Sequence, residues 1–308
     1  MLSMISMQSI ELPAHSDIRP QPLKYEPACG EVADALLRQL RGSLVTRART
    51  AHPAPFGYYR VDAEPALFVK VVPSARLPRL LAVQQLVTKL AAEGCPVQPM
   101  RGAPLTLSEN ATGLTHAYVV ERFACDKVQD ATSVGAALRS IHTALKKVLP
   151  PCSADRISGQ WHRTISTLFH ARYTDEFVSS SARALLRHWQ QLAATLDRNC
   201  QLIHGDYHRG NVLMAASGVA AVLDFDDAVS TVASPLVDIA TGVERFCMAG
   251  AQGELGAKMA CAFLDGYGCL PAEVSANEIA RVASARSLFG CSILHANPQP
   301  DDPVWCAE

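Results

Sequence analysis

Apolar positions recur at two different spacings along the chain, and the change from one to the other divides it. From Gly30 to Leu40 the run EVADALLRQL places apolar residues on one helical face. Tyr58–Val61 and Ala66–Val72 are instead dense in β-branched and aromatic residues and flank Asp62–Pro65, the pattern of a hairpin. Pro73 and Pro78 close it. Arg79 to Glu93 then predicts a helix, with Gly94 as its stop. Pro96–Leu107 predicts an extended segment and Ala117–Phe123 another strand. Beyond it the helical spacing takes over: Ser133–Lys147, Ala182–Leu196, Pro235–Met248, Glu254–Tyr267 and Ala276–Leu294. Only Leu202–Val212 and the strand-like Val219–Leu223 interrupt that trend.

The expected fold class is therefore α+β, with two lobes. Residues 1–28, rich in Pro and polar residues, form an N-terminal extension. Residues 29–123 form a small strand-rich N-lobe, and residues 124–308 a larger, mainly helical C-lobe.

Composition narrows the partners. The net charge of −1 supplies no basic field for nucleic acid or an anionic membrane, so neither is expected as a partner. No apolar run reaches the length of a membrane span, and the N-terminus lacks a basic, then apolar, leader. The cytoplasm is the expected compartment, with a monomer or homodimer as the assembly. Ten cysteines are scattered without a CxxC pair, so zinc-ribbon and thioredoxin-type chemistry are not indicated; most read as small buried hydrophobes.

The candidate chemistry lies in QLIHGDYHRGNVLM and the LDFDD run that follows it. An apolar strand enters, polar residues cluster in a tight turn with Asp206 and Asn211, and a second apolar strand delivers Asp224. Two carboxylates and an amide thus meet at the ends of a hairpin. Mg²⁺ takes hard oxygen ligands and keeps waters and phosphate oxygens for the rest of its shell, a demand that Asn211 and Asp224 match. Asp206 is left to orient a hydroxyl and accept its proton.

HGDYHRGN followed by LDFDDA resembles the HGDxxxxN and DxD signatures of the aminoglycoside phosphotransferase and choline kinase superfamily, relatives of the protein kinases. The resemblance spans roughly residues 55–250. It implies a two-lobed protein-kinase-like fold and an ATP- and Mg²⁺-dependent transfer of a phosphoryl group to a hydroxyl of a small molecule. By the same resemblance Asp206 is the catalytic base, Asn211 and Asp224 are metal ligands, and Asp226 supports a second metal or its waters. His204 packs the loop, Arg209 stabilises transferred charge, and Asp238 bonds the catalytic loop. Lys70 in LFVKVV holds the α- and β-phosphates; a lysine inside an apolar strand needs its charge paired in any case. Glu121 and Phe123 meet the adenine edge.

The pattern departs from the family at two places. The helix after the Lys70 strand carries Gln84 and Gln85 where the family places a glutamate, and its nearest acid, Glu93, lies too far along. Looser anchoring of Lys70 is expected. No GxGxxG precedes the first strand. Residues 153–200 hold Arg156, Arg163, Arg172, Arg183, Arg187 and Arg198 against four acids, which favours a neutral or anionic acceptor over a polycation. Aromatics make up 6% of the chain and form no clear cage for choline. Two alternatives stand beside the small-molecule kinase: a protein Ser/Thr kinase resembling the stress response kinases, and a nucleotide-binding regulator with little catalysis.

Overall fold

The structure is a computed structural model that describes residues 25–48, 56–64, 66–107, 113–119, 130–149, 155–170, 176–248, 253–268, 270 and 274–296. Its first part is one antiparallel sheet. The strands are β1 (Tyr25–Pro27), β2 (Leu44–Ala48), β3 (Gly57–Asp62), β4 (Leu67–Pro73), β5 (Leu105–Thr106) and β6 (Gly113–Val119), in the spatial order β1-β2-β3-β4-β6-β5. β3 and β4 form the expected hairpin, with Tyr58 opposite Lys70. Strands β1 and β2 went unread in the sequence; β1 pairs with β2 at the sheet edge and falls within residues 1–28.

The alternation along β4 sets up the site. Leu67, Val69 and Val71 turn to one face, where they join Val45, Tyr59 and Val61 under the inner side of α1 (Glu31–Leu40), lined by Ala33 and Leu36. Lys70 therefore projects from the opposite face. The helix after β4, α2, runs Leu77–Ala92. It begins before Arg79, and Pro78 sits in its first turn, where a missing N–H leaves no helical bond unmade. Its buried stripe Val83, Leu86, Val87 and Leu90 belongs to the larger core of the helical part. The segment beyond it is irregular except for β5. A single bridge, Val97 to Val222, with Val222 N–H donating to Pro96 O at 2.8 Å, ties it to the later hairpin.

The remainder is mainly helical: α3 (Ala131–Leu145), α4 (Ile157–His170), α5 (Glu176–Arg187), α6 (Trp189–Leu196), α7 (Leu236–Gly242), α8 (Glu254–Tyr267) and α9 (Ala276–Ala296). The helix expected over Ala182–Leu196 is two helices, broken at His188. α7 continues into a π-helical turn, Val243–Met248. α3 and α8 pack backbone to backbone: a Cβ on Gly135 would lie 2.0 Å from Phe263 O, and one on Gly266 would lie 1.9 Å from Thr132 O. Among these helices sit β9 (Val212–Ala215) and β10 (Gly218–Val222), an antiparallel hairpin, and a three-stranded sheet of β7 (Asp155–Arg156), β11 (Thr231–Ala233) and β8 (Gln201–Leu202). No described helix is long and apolar enough to cross a membrane. Among the described cysteines Cys95 and Cys247 are buried, but Cys29 and Cys261 are exposed, so the reading of most as core hydrophobes holds for only part of the set.

Candidate active site

The loop between β8 and β9 is held from beneath by one carboxylate. Asp238, fully buried in α7, accepts from the backbone N–H groups of His204 (2.7 Å) and Gly205 (2.9 Å). It also meets Nε2 of His142 on α3 at 2.9 Å, and His142 Nδ1 lies 2.9 Å from the Tyr267 hydroxyl of α8. A buried carboxylate is tolerable with this many partners. Gly205 has φ 86°, and a Cβ there would lie 2.8 Å from Cβ of Asp227, so both the backbone angle and the space call for glycine. His204 is buried against Phe225, with ring centroids 4.8 Å apart. Its Nε2 meets Leu223 O at 2.8 Å, and its Nδ1 accepts from Asp206 N–H at 3.3 Å. The ring thus joins the loop to the end of β10.

Asp206 and Asn211 come together as the spacing implied. Asn211 Nδ2 donates to Asp206 O at 2.9 Å and lies 3.4 Å from Asp206 Oδ2. That fixes the amide and leaves its Oδ1 for another partner. Leu223 N–H donates to Asn211 O at 2.8 Å, which brings Asp224 alongside. Asp224 has φ 56°, a left-handed angle uncommon outside glycine and frequent at functional turns.

Lys70 completes the cluster. Its Nζ lies 3.0 Å from Asp224 Oδ1 and 2.7 Å from Asp226 Oδ2, and 5.6 Å from the centroid of the Tyr58 ring. Burial works against the ammonium, but Asp224, Tyr58 and Asp226 outweigh it and hold its pKa well above the ordinary lysine value. The expected loose anchoring of Lys70 is therefore overturned. Gln84 Nε2 donates to Gly102 O at 2.7 Å, and Glu93 pairs with Lys147. The anionic partners come from the LDFDD run, 154 and 156 residues away. Helix α2 instead contributes a cation: Arg79 Nε and Nη2 donate to Asp226 O at 3.0 and 2.6 Å, and Nη2 lies 3.0 Å from Asp227 Oδ1.

On the other side of Asp206, His208 Nε2 lies 3.3 Å from Oδ2, and Arg286 Nη2 of α9 lies 3.2 Å from Oδ1. Burial alone would raise the Asp206 carboxyl. His208, then Arg286 and His204, hold it well below the ordinary carboxylate range instead. Arg209 donates through Nη2 to Phe246 O in the π-helical turn at 2.6 Å, with its Nε buried and unpaired. π-turns release backbone carbonyls from regular helical pairing. Glu121 and Phe123 lie outside the described residues.

Two basic residues of the site, Arg79 and Arg286, escaped the sequence reading. Arg286 left a signal: it falls four residues after buried Val282 and directly after buried Ala285, on the inward side of α9. Of the arginines that were singled out, Arg156 pairs with Asp197 (3.5 Å) and Arg198 with Glu278 (3.2 Å), so these two brace helices.

Solved structures share this architecture. A spectinomycin phosphotransferase, APH(9)-Ia, in complex with ADP and spectinomycin superposes with a TM-score of 0.61 at 14% identity, over 93% of this chain and 94% of that one. The aminoglycoside phosphotransferase APH(3'')-Id from Streptomyces rimosus gives 0.55 at 14% identity, over 86% and 92%. The macrolide 2'-phosphotransferase MphH from Brachybacterium faecium gives 0.56 at 17% identity, over 88% and 94%. At these identities the likeness shows the fold. No curated protein matches the chain by sequence. The sequence profile of the phosphotransferase enzyme family, however, matches residues 55–274, well over half of the chain. The chain belongs to that family and is a kinase-type phosphotransferase with a hydroxyl as acceptor.

Proposed function

We propose that the protein transfers the γ-phosphoryl group of ATP, with Mg²⁺, to a hydroxyl of a small molecule. The observation that carries this reading is the single cluster of Lys70, Asp206, Asn211, Asp224 and Asp226, drawn from β4, the loop after β8 and the segment after β10. The donor set suits the metal: two carboxylates and an amide oxygen are hard ligands, few enough to leave room for phosphate oxygens. The chemistry that a bound Mg²⁺ would supply is neutralisation of charge on the nucleotide's phosphate groups. Asn211 and Asp224 would hold it, with Asp226 beside them. The nucleotide would lie between the N-terminal sheet and the helical part that follows it, and the resemblance assigns the adenine edge to Glu121 and Phe123.

Each side chain then has a task. Lys70 exchanges a carboxylate for an α- or β-phosphate oxygen when nucleotide arrives. Asp206 orients the acceptor hydroxyl and takes its proton. The acceptor oxygen forms its bond to phosphorus as the bond to the departing ADP oxygen breaks. Arg209, held at Phe246 O, fixes the loop through which the phosphoryl group passes. The structural relatives named above are aminoglycoside, spectinomycin and macrolide phosphotransferases, which supports a small-molecule acceptor over a protein.

An ADP-release assay over a panel of hydroxyl compounds tests this reading. Turnover that requires Mg²⁺ and falls by orders of magnitude in Asp206→Asn is expected. Full activity in Asp206→Asn would overturn the assignment of the base.

A further inference from the structure

We propose that Arg286 is a specificity-determining residue of the acceptor site, selecting a hydroxyl compound that is neutral or negatively charged beside the hydroxyl it offers. The inference rests on Asp206 being the base.

Any hydroxyl that reaches Asp206 must approach a guanidinium already there. Arg286 Nη2 lies 3.2 Å from Asp206 Oδ1, and its side chain is only 17% exposed. Its Cζ sits 5.8 Å from the centroid of the Phe289 ring one turn on, and that ring stacks on buried Trp161 with centroids 5.7 Å apart. The side chain is thus seated on an aromatic pair. A guanidinium carries five N–H donors in a planar fork. One meets Asp206, and among the described residues no other acceptor lies within hydrogen-bonding reach of the rest. His208, on the other side of the carboxylate, is a second nitrogen group beside it. The acid bonded to the next residue of α9, Glu244, accepts through Oε1 from Ser287 Oγ at 2.6 Å and lies 3.7 Å from Arg245 Nε, while its Oε2 is buried without a partner among the described residues.

The charge preference follows. An ammonium on the carbon next to the reacting hydroxyl would be brought against a fixed, poorly solvated cation and repelled. A carboxylate or phosphate in that position would meet the unused edge of the fork, a geometry suited to paired oxygens. A neutral polyol or sugar meets neither effect.

The test compares three matched acceptor sets in the ADP-release assay: gluconate and glucuronate, glucose and sorbitol, glucosamine and kanamycin. Wild type is expected to use the acid or neutral set in preference to the amines. Where an acid is used, Arg286→Gln should raise its KM about tenfold or more, the effect of losing a charge-assisted hydrogen bond, and leave the KM for ATP unchanged. Arg286→Lys should keep part of the preference. Where only neutral compounds turn over, Arg286→Gln should admit the amines. Preference for amines in wild type, or an equal loss for all three sets in Arg286→Gln, overturns this inference alone. Absence of ADP release with every set, in protein whose Tm still rises with Mg²⁺ and AMP-PNP, overturns the acceptor reading and this inference together.

Discussion

Arg79 grips the main-chain carbonyl of Asp226 with two nitrogens, Nε at 3.0 Å and Nη2 at 2.6 Å. The first turn of α2 thereby holds the segment that carries both Asp224 and Asp226. In a kinase-like site the helix beside the sheet ordinarily offers an anion to the strand lysine. Here the helix offers a cation to the segment of Asp224 and Asp226, which in turn offers its anions to Lys70.

Removing that grip should loosen metal binding first. Arg79 is 40% exposed, which weakens its electrostatic share, so the expected loss in Arg79→Gln is roughly 1 kcal/mol. The Mg²⁺ concentration for half-maximal ADP release should rise about fivefold, with the acceptor KM unmoved. Arg79→Lys should not rescue it, because one ammonium cannot span both contacts. A Mg²⁺ titration at saturating acceptor measures the effect.

Lys70→Met removes the cation between two carboxylates. Like charges left together destabilise the fold, so the metal-free variant should melt below wild type. Mg²⁺ then replaces the missing charge, and the rise in Tm on adding it should be larger than in wild type. ATP turnover should fall by at least an order of magnitude, since a charge-assisted contact to phosphate is lost. Thermal melts with and without Mg²⁺ separate the two effects.

Much of this was legible in the sequence. HGDYHRGN and LDFDD are local signals, and the hairpin between them follows from chain alternation, so Asp206, Asn211 and Asp224 could be placed together. Lys70 could be identified as costly in its strand but its partners could not, because they are more than 150 residues distant and belong to a run already assigned to metal. A missing helix glutamate reads as a deficit until the tertiary contact supplies the anion from elsewhere. Strands β7 and β11 are too short to show a period, and β2, LVTRA, is short and half polar. The helix break at His188 has no Gly or Pro to announce it.

Asp238→Ala should cost about 3–5 kcal/mol, because it strips two backbone N–H groups and His142 of a buried acceptor at once. Asp238→Asn, which keeps one acceptor oxygen, should cost less. Urea unfolding midpoints compare them.

The same network sets an alkaline limit. Burial and Asp238 push the Tyr267 hydroxyl up to about 12 from an ordinary 10.0. The unfolded chain loses that proton first, so the contribution to stability is intact below pH 10 and fades as pH rises toward 12. The raised Lys70 acts in the same direction. Tyr267→Phe should show a shallower loss across this range in denaturant midpoints.

Gly266→Ala tests the packing of α3 on α8. A methyl group 1.9 Å from Thr132 O must push the two backbones apart. A loss of about 1–3 kcal/mol or more is expected, with little change in KM for ATP in protein that remains folded.

Asp238 ties the backbone of the loop at His204 and Gly205 into the core of the helical half. Lys70 reaches the Asp224–Asp226 segment from the sheet, and Arg79 reaches it from α2. Motion of the sheet would break the Lys70 contacts and leave the two Asp238 bonds whole. On the proposed assignment the base is therefore preassembled: its loop is set by the fold itself, before either substrate arrives.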